Sequence, residues 1–457
     1  ELNMYFSSLH RRTPYPAATL LACSAALLRL VGAFVVDVSR APLKRAQDSE
    51  PAAFPLDATE KCAEGARKKY DLVIFGATGF TGKLGAQYLA GGHRDRPRWA
   101  IAGRSQEKLD RLRRELAGGG PDTAAPSGSI VANLNDEASL LNMTRQARVV
   151  LSFAGPYEYT HGERLIKAAI KGCAHYADIA GETPWKAHVL TQFGEAAKKR
   201  GVAIAQPVGY DSMPFDLLAR LAAEAVAADG QGAPTSVLVV NTRVNSWPSG
   251  GSVRSGLGAG VLHPGKADPY ALIPETPPDA RVDSAGGALL RGYHPAAGEV
   301  LQPSVMAEVN LPVIRRTLGI LFPGTAISAA LGDSLESGLN LVKFYMDPRT
   351  ISDTPPLPLA SGSGPPKWVR EKGSWAAHAI ATRLPDGRRK VVYAEGQGDA
   401  GYQSTARMAT EFALAMLPGA RSNVTSGYVT PALAMDLGTL RAHLERADGG
   451  RLMRFAP

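Results

Sequence analysis

The chain has 457 residues, of which 45% are hydrophobic, so it can bury a large core spread over two or three domains. Its formal net charge is +9, but no basic run with interleaved aromatic residues accompanies that charge, and this argues against nucleic-acid binding. The cysteines Cys23, Cys62 and Cys173 are far apart and form no CxxC or His/Cys cluster, so the sequence predicts neither a disulfide framework nor a metal site.

The sequence of residues 1–68 predicts a targeting presequence or membrane anchor without a folded domain. Arg11 and Arg12 precede an apolar stretch, 17–36, which is the pattern of a secretory signal sequence. A single transmembrane anchor is the alternative, although Arg29 near its middle costs about 2.5–3.5 kcal/mol on insertion. A basic, Pro/Ala-rich extension follows and resembles the two-part plastid presequences of algae with complex plastids. We therefore expect delivery to a plastid, with the endoplasmic reticulum or membrane association as the alternative.

The strongest pattern begins with a strand, a glycine turn and a helix. The apolar run 72–75 predicts a strand buried on both faces, and Gly76, Gly79 and Gly82 follow it before a helical segment. In a dinucleotide site these glycines permit, in turn, a tight turn, approach of the backbone to the pyrophosphate and close packing of helix on strand. The predicted cofactor loop consists of Gly76, Ala77, Thr78, Gly79, Phe80, Thr81 and Gly82.

The end of the next predicted strand, 99–102, indicates which dinucleotide binds. An NAD site places Asp or Glu there to hold the ribose 2′-hydroxyl, whereas this chain has Arg104 and Ser105. Because a guanidinium and a hydroxyl suit a 2′-phosphate, the sequence predicts NADP(H) as the cofactor. An ordinary parallel-sheet turn with a solvated arginine is the alternative.

The alternation of strands and helices continues through residue 208. It predicts an α/β fold, a doubly wound parallel sheet of the Rossmann type, in a domain that spans 69–230. At Ser236 the pattern changes to a longer β-branched strand followed by Pro- and Gly-rich loops, which predicts a second, α+β domain over 231–400. We expect that domain to serve substrate binding and dimerisation, so a homodimer is a candidate assembly.

Four later segments complete the predicted elements. A hairpin is expected at 375–382 and 390–395, and closing helices at 404–416 and 431–444. The nearly uncharged segment Leu318–Leu331 predicts a helix in the core or at a subunit interface. Contact of that helix with a membrane surface is the alternative.

Loops after the carboxyl ends of the strands are the candidate active site, because ligands bind there in a doubly wound sheet. Ala154, Gly155 and Pro156 form a rigid turn that can lie over the nicotinamide. Tyr157 or His161 can donate a proton to the atom that a hydride leaves anionic.

Two further loops end predicted strands at the same rim. Residues 178–182 contain Glu182, and residues 209–214 contain Asp211, a third candidate catalytic residue. Both carboxylates are equally consistent with capping helices, and the spacing of residues gives no metal-ligand pattern.

A series of motifs, in order over residues 70–447, resembles the saccharopine dehydrogenase-like oxidoreductases, a group that includes the trans-acting enoyl reductases of bacterial lipid synthesis. The motifs are GATGFTG (76–82), AGRS (102–105) followed by Lys108-Leu109, GPY (155–157), HYADIAGE (175–182), GYDSMPFD (209–216), PSGGS (248–252), DPY (268–270), GDAGYQSTARM (398–408) and VTPA (429–432).

The resemblance implies a Rossmann domain, an α+β domain and C-terminal helices, 401–457, that return to pack on the first domain. It also implies NADP(H)-dependent reduction of a C=C or C=O bond in a hydrophobic small molecule, such as a lipid or isoprenoid, and membrane or lipid-droplet association in animal relatives. Saccharopine-type amino-acid oxidation is one alternative. A non-catalytic, cofactor-binding protein attached to a membrane or lipid droplet is the other.

Overall fold

The computed structural model of the chain describes residues 60–457, without 64, 66, 92–96, 120–122, 158–159, 245–267, 269, 274–291, 305, 326, 335–363, 385 and 419–423. The predicted signal and transit segments up to residue 59, and the PSGGS motif, lie outside the described residues.

The described strands are, in chain order, β1 (Tyr70–Phe75), β2 (Trp99–Gly103), β3 (Gly128–Val131), β4 (Ala147–Ser152), β5 (His175–Asp178), β6 (Ala203–Ala205), β7 (Ser236–Val244), β8 (Gly292–His294), β9 (Glu299–Pro303), β10 (Ser328–Ser334), β11 (Ser374–Arg383), β12 (Arg388–Gln397), β13 (Gly427–Val429) and β14 (Arg454–Ala456).

The described α-helices are α1 (Phe80–Ala90), α2 (Gln106–Ala117), α3 (Glu137–Gln146), α4 (Gly162–Gly172), α5 (Thr183–Arg200), α6 (Met213–Ala227), α7 (Ala307–Leu321), α8 (Lys367–Lys372), α9 (Thr405–Ala415) and α10 (Leu437–Arg446). A π-helical turn, Ala400–Ser404, leads into α9.

The first sheet has the strand order β3-β2-β1-β4-β5-β6-β13, and all of its neighbouring strands are parallel. Leu72 of β1 lies between Trp99 of β2 and Val149 of β4. From β1 the chain builds outward to β3 and then crosses back to β4, so the strand order reverses between β1 and β4. This confirms the predicted doubly wound sheet and identifies the point where a ligand crevice opens.

Helices cover both faces of this sheet, which explains why its strands are apolar at successive positions. Leu72 and Ile74 belong to one core cluster, with the buried residues of α1, α2 and α9. Val73 and Phe75 point the other way and join a second cluster with α3, α4 and α5. Adjacent residues of one strand are therefore buried under different helical layers.

The second sheet is mixed and has the order β14-β12-β11-β7-β10-β9-β8. β7 pairs parallel with β10 and antiparallel with β11, and β11 and β12 form the predicted hairpin. Helices α6 and α7 pack on this sheet, and their buried residues continue the core that starts under β1. This confirms the second α+β domain.

The C-terminal part of the chain returns to both sheets. β13 adds a parallel strand beside β6, and α9 packs on α1, as the resemblance implied. β14 pairs instead with β12 of the second sheet, which sequence reasoning did not foresee. Strands of three residues carry too little periodicity to be recognised without the partner beside them.

The prediction of a helix over Leu318–Leu331 is wrong. α7 ends at Leu321, Pro323 and Gly324 make a turn, and β10 starts at Ser328. Gly324 adopts φ +76°, a conformation that terminates helices, and Pro323 cannot continue the hydrogen-bond ladder. The segment is apolar because it is buried first as helix and then as strand. Within the described ranges, every helix is too short or too polar to cross a bilayer.

The last predicted helix, 431–444, is also displaced. Residues Pro431–Leu433 form a single 3₁₀ turn, and α10 begins only at Leu437. Asp436 explains the start, because its carboxylate accepts the Thr439 N–H and caps the helix.

Cys62 and Cys173 form a disulfide, which corrects the prediction that the cysteines are not paired. They are 111 residues apart in sequence, and the fold brings their Cα atoms to 5.8 Å. The residues just before β1 are thus attached to the first domain, although the sequence predicts no folded structure before Lys68.

A buried carboxylate links the first helix to the C-terminal region. Glu411 of α9 accepts a 2.6 Å hydrogen bond from the Tyr88 hydroxyl of α1 and lies 2.7 Å from His443 Nε2 of α10. The Glu411 residue is only 2% exposed, so its oxygens depend on these partners rather than on water. The link fastens α9 and α10 to the helix that follows the glycine turn.

Replacing Tyr88 by Phe should lower the free energy of unfolding by about 1.5–3 kcal/mol, the usual contribution of a hydrogen bond to a charged group. Urea unfolding measures the change. Tyr393→Phe is the control, because Tyr393 is 49% exposed, and its effect should stay within about 0.5 kcal/mol. Equal stabilities of the two variants would show that the Tyr88 hydroxyl contributes nothing to the attachment of α9.

Candidate active site

The crevice at the switch point is lined by the loops that follow β1 and β4. Gly76 adopts φ +77°, and a Cβ built on it would lie 3.0 Å from the Ala154 nitrogen. Its N–H donates to the Ala102 carbonyl, and its own carbonyl accepts the Gly79 N–H at 2.9 Å. The turn therefore needs glycine at this position both for its backbone angle and for the close approach of the neighbouring loop.

The other two glycines place the start of α1 against this turn. A Cβ on Gly82 would overlap the Gly76 carbonyl, so only glycine lets α1 pack this closely. Gly79 is the N-cap residue, and none of the described side chains caps α1. The N–H groups of its first turn are therefore open to an anion, which is the arrangement that binds a pyrophosphate.

The end of β2 lies beside the glycine turn. A Cβ on Gly103 would be 3.8 Å from Thr78 Oγ1, and Arg104, the next residue, is exposed. Ser105 caps α2 by accepting the Lys108 N–H at 3.4 Å, which leaves its hydroxyl hydrogen able to donate. The structure thus brings Arg104 and Ser105 to the edge where the adenosine ribose of a bound dinucleotide lies.

The loop after β4 carries Ala154, Gly155 and Pro156 to the same edge. Thr160 holds its shape, because the Thr160 hydroxyl contacts the Pro156 carbonyl at 2.8 Å and the Ala154 carbonyl at 3.2 Å. Gly155 is exposed, and the Gly155–Pro156 peptide is cis. This loop faces the crevice from the side opposite to the end of β2.

Tyr157 is buried rather than directed at the crevice. Its hydroxyl donates to the Ser152 carbonyl at 2.8 Å and accepts the Ile179 N–H at 3.4 Å. Burial, and then the nearby carboxylate of Asp178, raises the pKa of Tyr157. The hydroxyl proton is already held by the backbone, so the geometry does not favour Tyr157 as the proton donor.

His161 lies at the start of α4, in the left-handed conformation with φ 57°. Its Nδ1 is 3.5 Å from the Glu163 carboxylate, and both side chains are about one quarter exposed. The structure therefore shows a histidine held by its own helix turn.

A buried polar cluster follows β5 and was not foreseen in full. Asp178 accepts hydrogen bonds from the Tyr176 hydroxyl at 2.7 Å, the Gln206 amide at 2.6 Å and the Ala180 N–H at 3.0 Å. Burial raises the pKa of Asp178 to about 6 in spite of these donors. Asp178 thus titrates near neutral pH at the carboxyl end of β5.

Asp211 lies in the loop after β6, on the same edge, and is partly exposed. Its Oδ1 accepts a 3.1 Å hydrogen bond from the Asn310 amide of α7. Burial raises the pKa of Asp211 to about 6, although Asn310 and Lys186 oppose the shift. Unlike Tyr157, Asp211 combines a titratable proton with a position at the open edge.

Lys186, in the first turn of α5, is a candidate site residue that the sequence analysis missed. It is fully buried, and its ammonium donates to the Val309 carbonyl at 2.8 Å. Burial lowers the pKa of Lys186 to about 7, against the attraction of Glu182, Asp211 and Asp178. A lysine at a helix N-terminus opposes the helix dipole, and that mismatch just after the HYADIAGE motif was the available signal.

The first turn of α7 closes this edge from the second domain. Thr183 at the start of α5 donates to the Glu308 carbonyl at 2.8 Å, next to the Lys186–Val309 bond. Asn310 Oδ1, Ser212 Oγ and Gln206 Oε1 are buried there without a hydrogen-bond partner among the described residues. Orphaned buried polar atoms mark a place where a ligand or water belongs.

A family model for the saccharopine dehydrogenase NADP binding domain matches residues 72–204, which run from within β1 to within β6 and contain the glycine turn. The trans-acting enoyl reductase of Mycobacterium ulcerans is 29% identical over 407 residues, which cover 81% of this chain and 94% of the relative. The enzyme of the same name from Mycobacterium tuberculosis matches equally, at 29% identity with the same coverage.

The chain is an NADP-dependent oxidoreductase whose cofactor domain is similar to that of the saccharopine dehydrogenases. NADP(H) is its cofactor, as Arg104 and Ser105 had indicated. Among solved structures, apo saccharopine dehydrogenase (L-Glu forming) of Saccharomyces cerevisiae aligns with a TM-score of 0.49 at 12% identity, covering 85% of this chain and all of that one.

Replacing Gly82 by Ala should weaken NADPH binding by at least about tenfold, because the new methyl group pushes the first turn of α1 away from Gly76. Titration of NADPH fluorescence measures the affinity. Gly118→Ala is the matched control, since a Cβ there lies 3.7 Å from the Arg114 carbonyl, an ordinary contact. Wild-type affinity in a folded Gly82→Ala protein would refute the packing argument.

Proposed function

We propose that this oxidoreductase uses NADPH to reduce a C=C bond conjugated to a carbonyl, or the C=O bond itself, in a lipid or isoprenoid-type substrate. The observation that carries the proposal is the match to the enoyl reductases, which extends through both domains and not only through the cofactor domain. An enoyl group is a C=C bond next to a carbonyl, so the relatives' name states the bond that is reduced.

The cofactor would lie across the crevice between β1 and β4. Residues 76–82 would hold the pyrophosphate through backbone N–H groups, and Arg104 with Ser105 would hold the 2′-phosphate. Ala154, Gly155 and Pro156 would lie along the nicotinamide. When bound, NADPH supplies a hydride, and this chain has to supply the accompanying proton.

Asp211 is the proposed proton donor. Reduction of a conjugated C=C bond leaves negative charge on the carbonyl oxygen or the neighbouring carbon, and a carboxylic acid with a pKa of about 6 can protonate either near neutral pH. Asn310 orients the Asp211 carboxyl from α7. Lys186, buried behind this edge, is attracted by Asp211 and Asp178 and stabilises the carboxylate that proton transfer leaves.

Replacing Arg104 by Asp should weaken NADPH binding by about 10–100-fold and improve NADH binding, because the carboxylate repels a 2′-phosphate and accepts a 2′-hydroxyl. Competitive fluorescence titration of both cofactors measures the ratio. Arg113→Asp, on the exposed face of α2, is the control and should leave the ratio unchanged. An unchanged ratio in the Arg104 variant counts against the assignment of the 2′-phosphate site.

If Asp211 donates the proton, kcat should fall about tenfold per pH unit above pH 6, because the active form is the protonated acid. Asp211→Asn should lower kcat by about 10²–10⁴ and abolish this fall. Asp333→Asn is the control, since burial also raises the pKa of Asp333 to about 6. If the fall disappears in the Asp333 variant instead, Asp211 is not the donor.

A substrate screen tests the proposed reaction itself. NADPH oxidation should be observed with α,β-unsaturated lipid or isoprenoid esters and thioesters, and not with the glutamate–lysine adduct saccharopine in the presence of NADP⁺. Activity confined to saccharopine would overturn the proposal in favour of amino-acid oxidation. Tight NADPH binding without turnover of any of these compounds would favour a cofactor-binding protein without catalytic activity.

A further inference from the structure

The Cys62–Cys173 disulfide lies at the edge of the first sheet opposite to the cofactor crevice. Cys173 follows the last turn of α4, and Cys62 precedes β1, so both are near the amino ends of the strands. The bond joins the segment 60–69 to the body of the first domain. Nothing in the proposed reduction uses this region, so the disulfide requires an explanation of its own.

Arg200, the last residue of α5, holds the two cysteines together independently of the covalent bond. Its guanidinium donates to the Glu60 carbonyl at 2.7 Å and to Cys173 Sγ at 3.0 Å. Its own carbonyl accepts the Cys62 N–H at 3.0 Å. Arg200 thus connects Glu60 and Cys62 to Cys173 through noncovalent contacts in addition to the disulfide.

Lys68 fastens the other end of the same segment. Its ammonium donates to the Gly172 carbonyl at 2.6 Å and to the Arg145 carbonyl at 3.1 Å, which lie at the ends of α4 and α3. Glu60, Cys62 and Lys68 are therefore held by residues at the C-terminal ends of helices.

The oxidation has a simple route. A positively charged donor such as Arg200 beside a sulfur favours the nucleophilic thiolate, so Cys173 attacks one sulfur of an external protein disulfide and forms a mixed disulfide. The Cys62 thiolate then displaces the external sulfur. In sum, two thiols lose two protons and two electrons, and the external disulfide becomes a dithiol.

We propose that Cys62–Cys173 is a structural disulfide, formed by a protein disulfide oxidant in an oxidising compartment, and that the mature protein keeps the chain from Glu60 onward. Disulfides persist in such compartments and are rare where thiols are kept reduced. A bond that closes a loop of this length stabilises the fold by restricting the unfolded chain. Any removal of the predicted signal and transit segments then occurs upstream of Glu60.

The first experiment maps the thiols of the full chain after its expression through a eukaryotic secretory pathway. The protein is denatured with an alkylating reagent present and no reductant, digested, and compared with a sample that is reduced first. We expect a linked pair of peptides containing Cys62 and Cys173 that disappears on reduction. Alkylation of both cysteines in the unreduced sample would overturn the proposal. The N-terminal peptide of the same protein should begin at or before Glu60, and a start after Cys62 would also overturn it.

The second experiment tests whether the bond is structural. Cys62→Ser and Cys173→Ser should each lower the thermal midpoint by about 5 °C, and reductant should lower the wild-type midpoint equally while leaving both variants unchanged. Tyr393→Phe, which changes an exposed side chain of the second sheet, is the control and should keep the wild-type midpoint and its response to reductant. NADPH affinity should be the same in all variants, since the crevice lies at the opposite edge. A wild-type midpoint that does not respond to reductant, in protein shown to contain the bond, would overturn the structural role.

Discussion

The contact of Gly82 with the Gly76 carbonyl is the constraint on which the rest of the structure depends. It sets α1 close against the end of β1, and so directs the first-turn N–H groups of the helix into the crevice. The same helix anchors the C-terminal region. The ring of Phe80 packs edge-on against that of Tyr402, with 5.3 Å between the ring centroids, and the Tyr88 hydroxyl donates a hydrogen bond to Glu411 of α9. The position of α1, which the Gly82 contact sets, therefore affects both the cofactor crevice and the packing of the C-terminal region.

The second domain contributes the first turn of α7 to the candidate active site. That turn accepts the ammonium of Lys186, and its Asn310 orients Asp211. Burying the charged groups of Lys186, Asp178 and Glu182 costs desolvation free energy that well-packed apolar residues would not cost. Stabilisation of the fold therefore does not explain why these residues are there. Perturbed pKa values near neutrality at the carboxyl ends of two strands are typical of a site for proton transfer.

The two edges of the first sheet carry separate groups of residues. The carboxyl edge carries the glycine turn, Arg104 and Asp211, whereas the amino edge carries the Cys62–Cys173 disulfide and its Arg200 clamp. A chemical change at one edge can therefore stabilise the protein without changing the chemistry at the other. The disulfide is connected to the sheet through β1, because the chain runs from Cys62 into that strand.

The sequence by itself determined the fold class, the glycine turn and the choice of NADP(H), because these depend on local patterns: an apolar strand, glycines at fixed spacing, and Arg104 one strand later. Tertiary structure alone decided which groups from distant segments meet. The Lys186 ammonium meets the Val309 carbonyl only when α7 packs against α5, and the Tyr157 hydroxyl donates its hydrogen bond to the Ser152 carbonyl. The pairing of Cys62 with Cys173, across 111 residues, is likewise set by the packing of helix ends. Spacing along a chain carries no information about such contacts, since they depend on where whole elements pack in space.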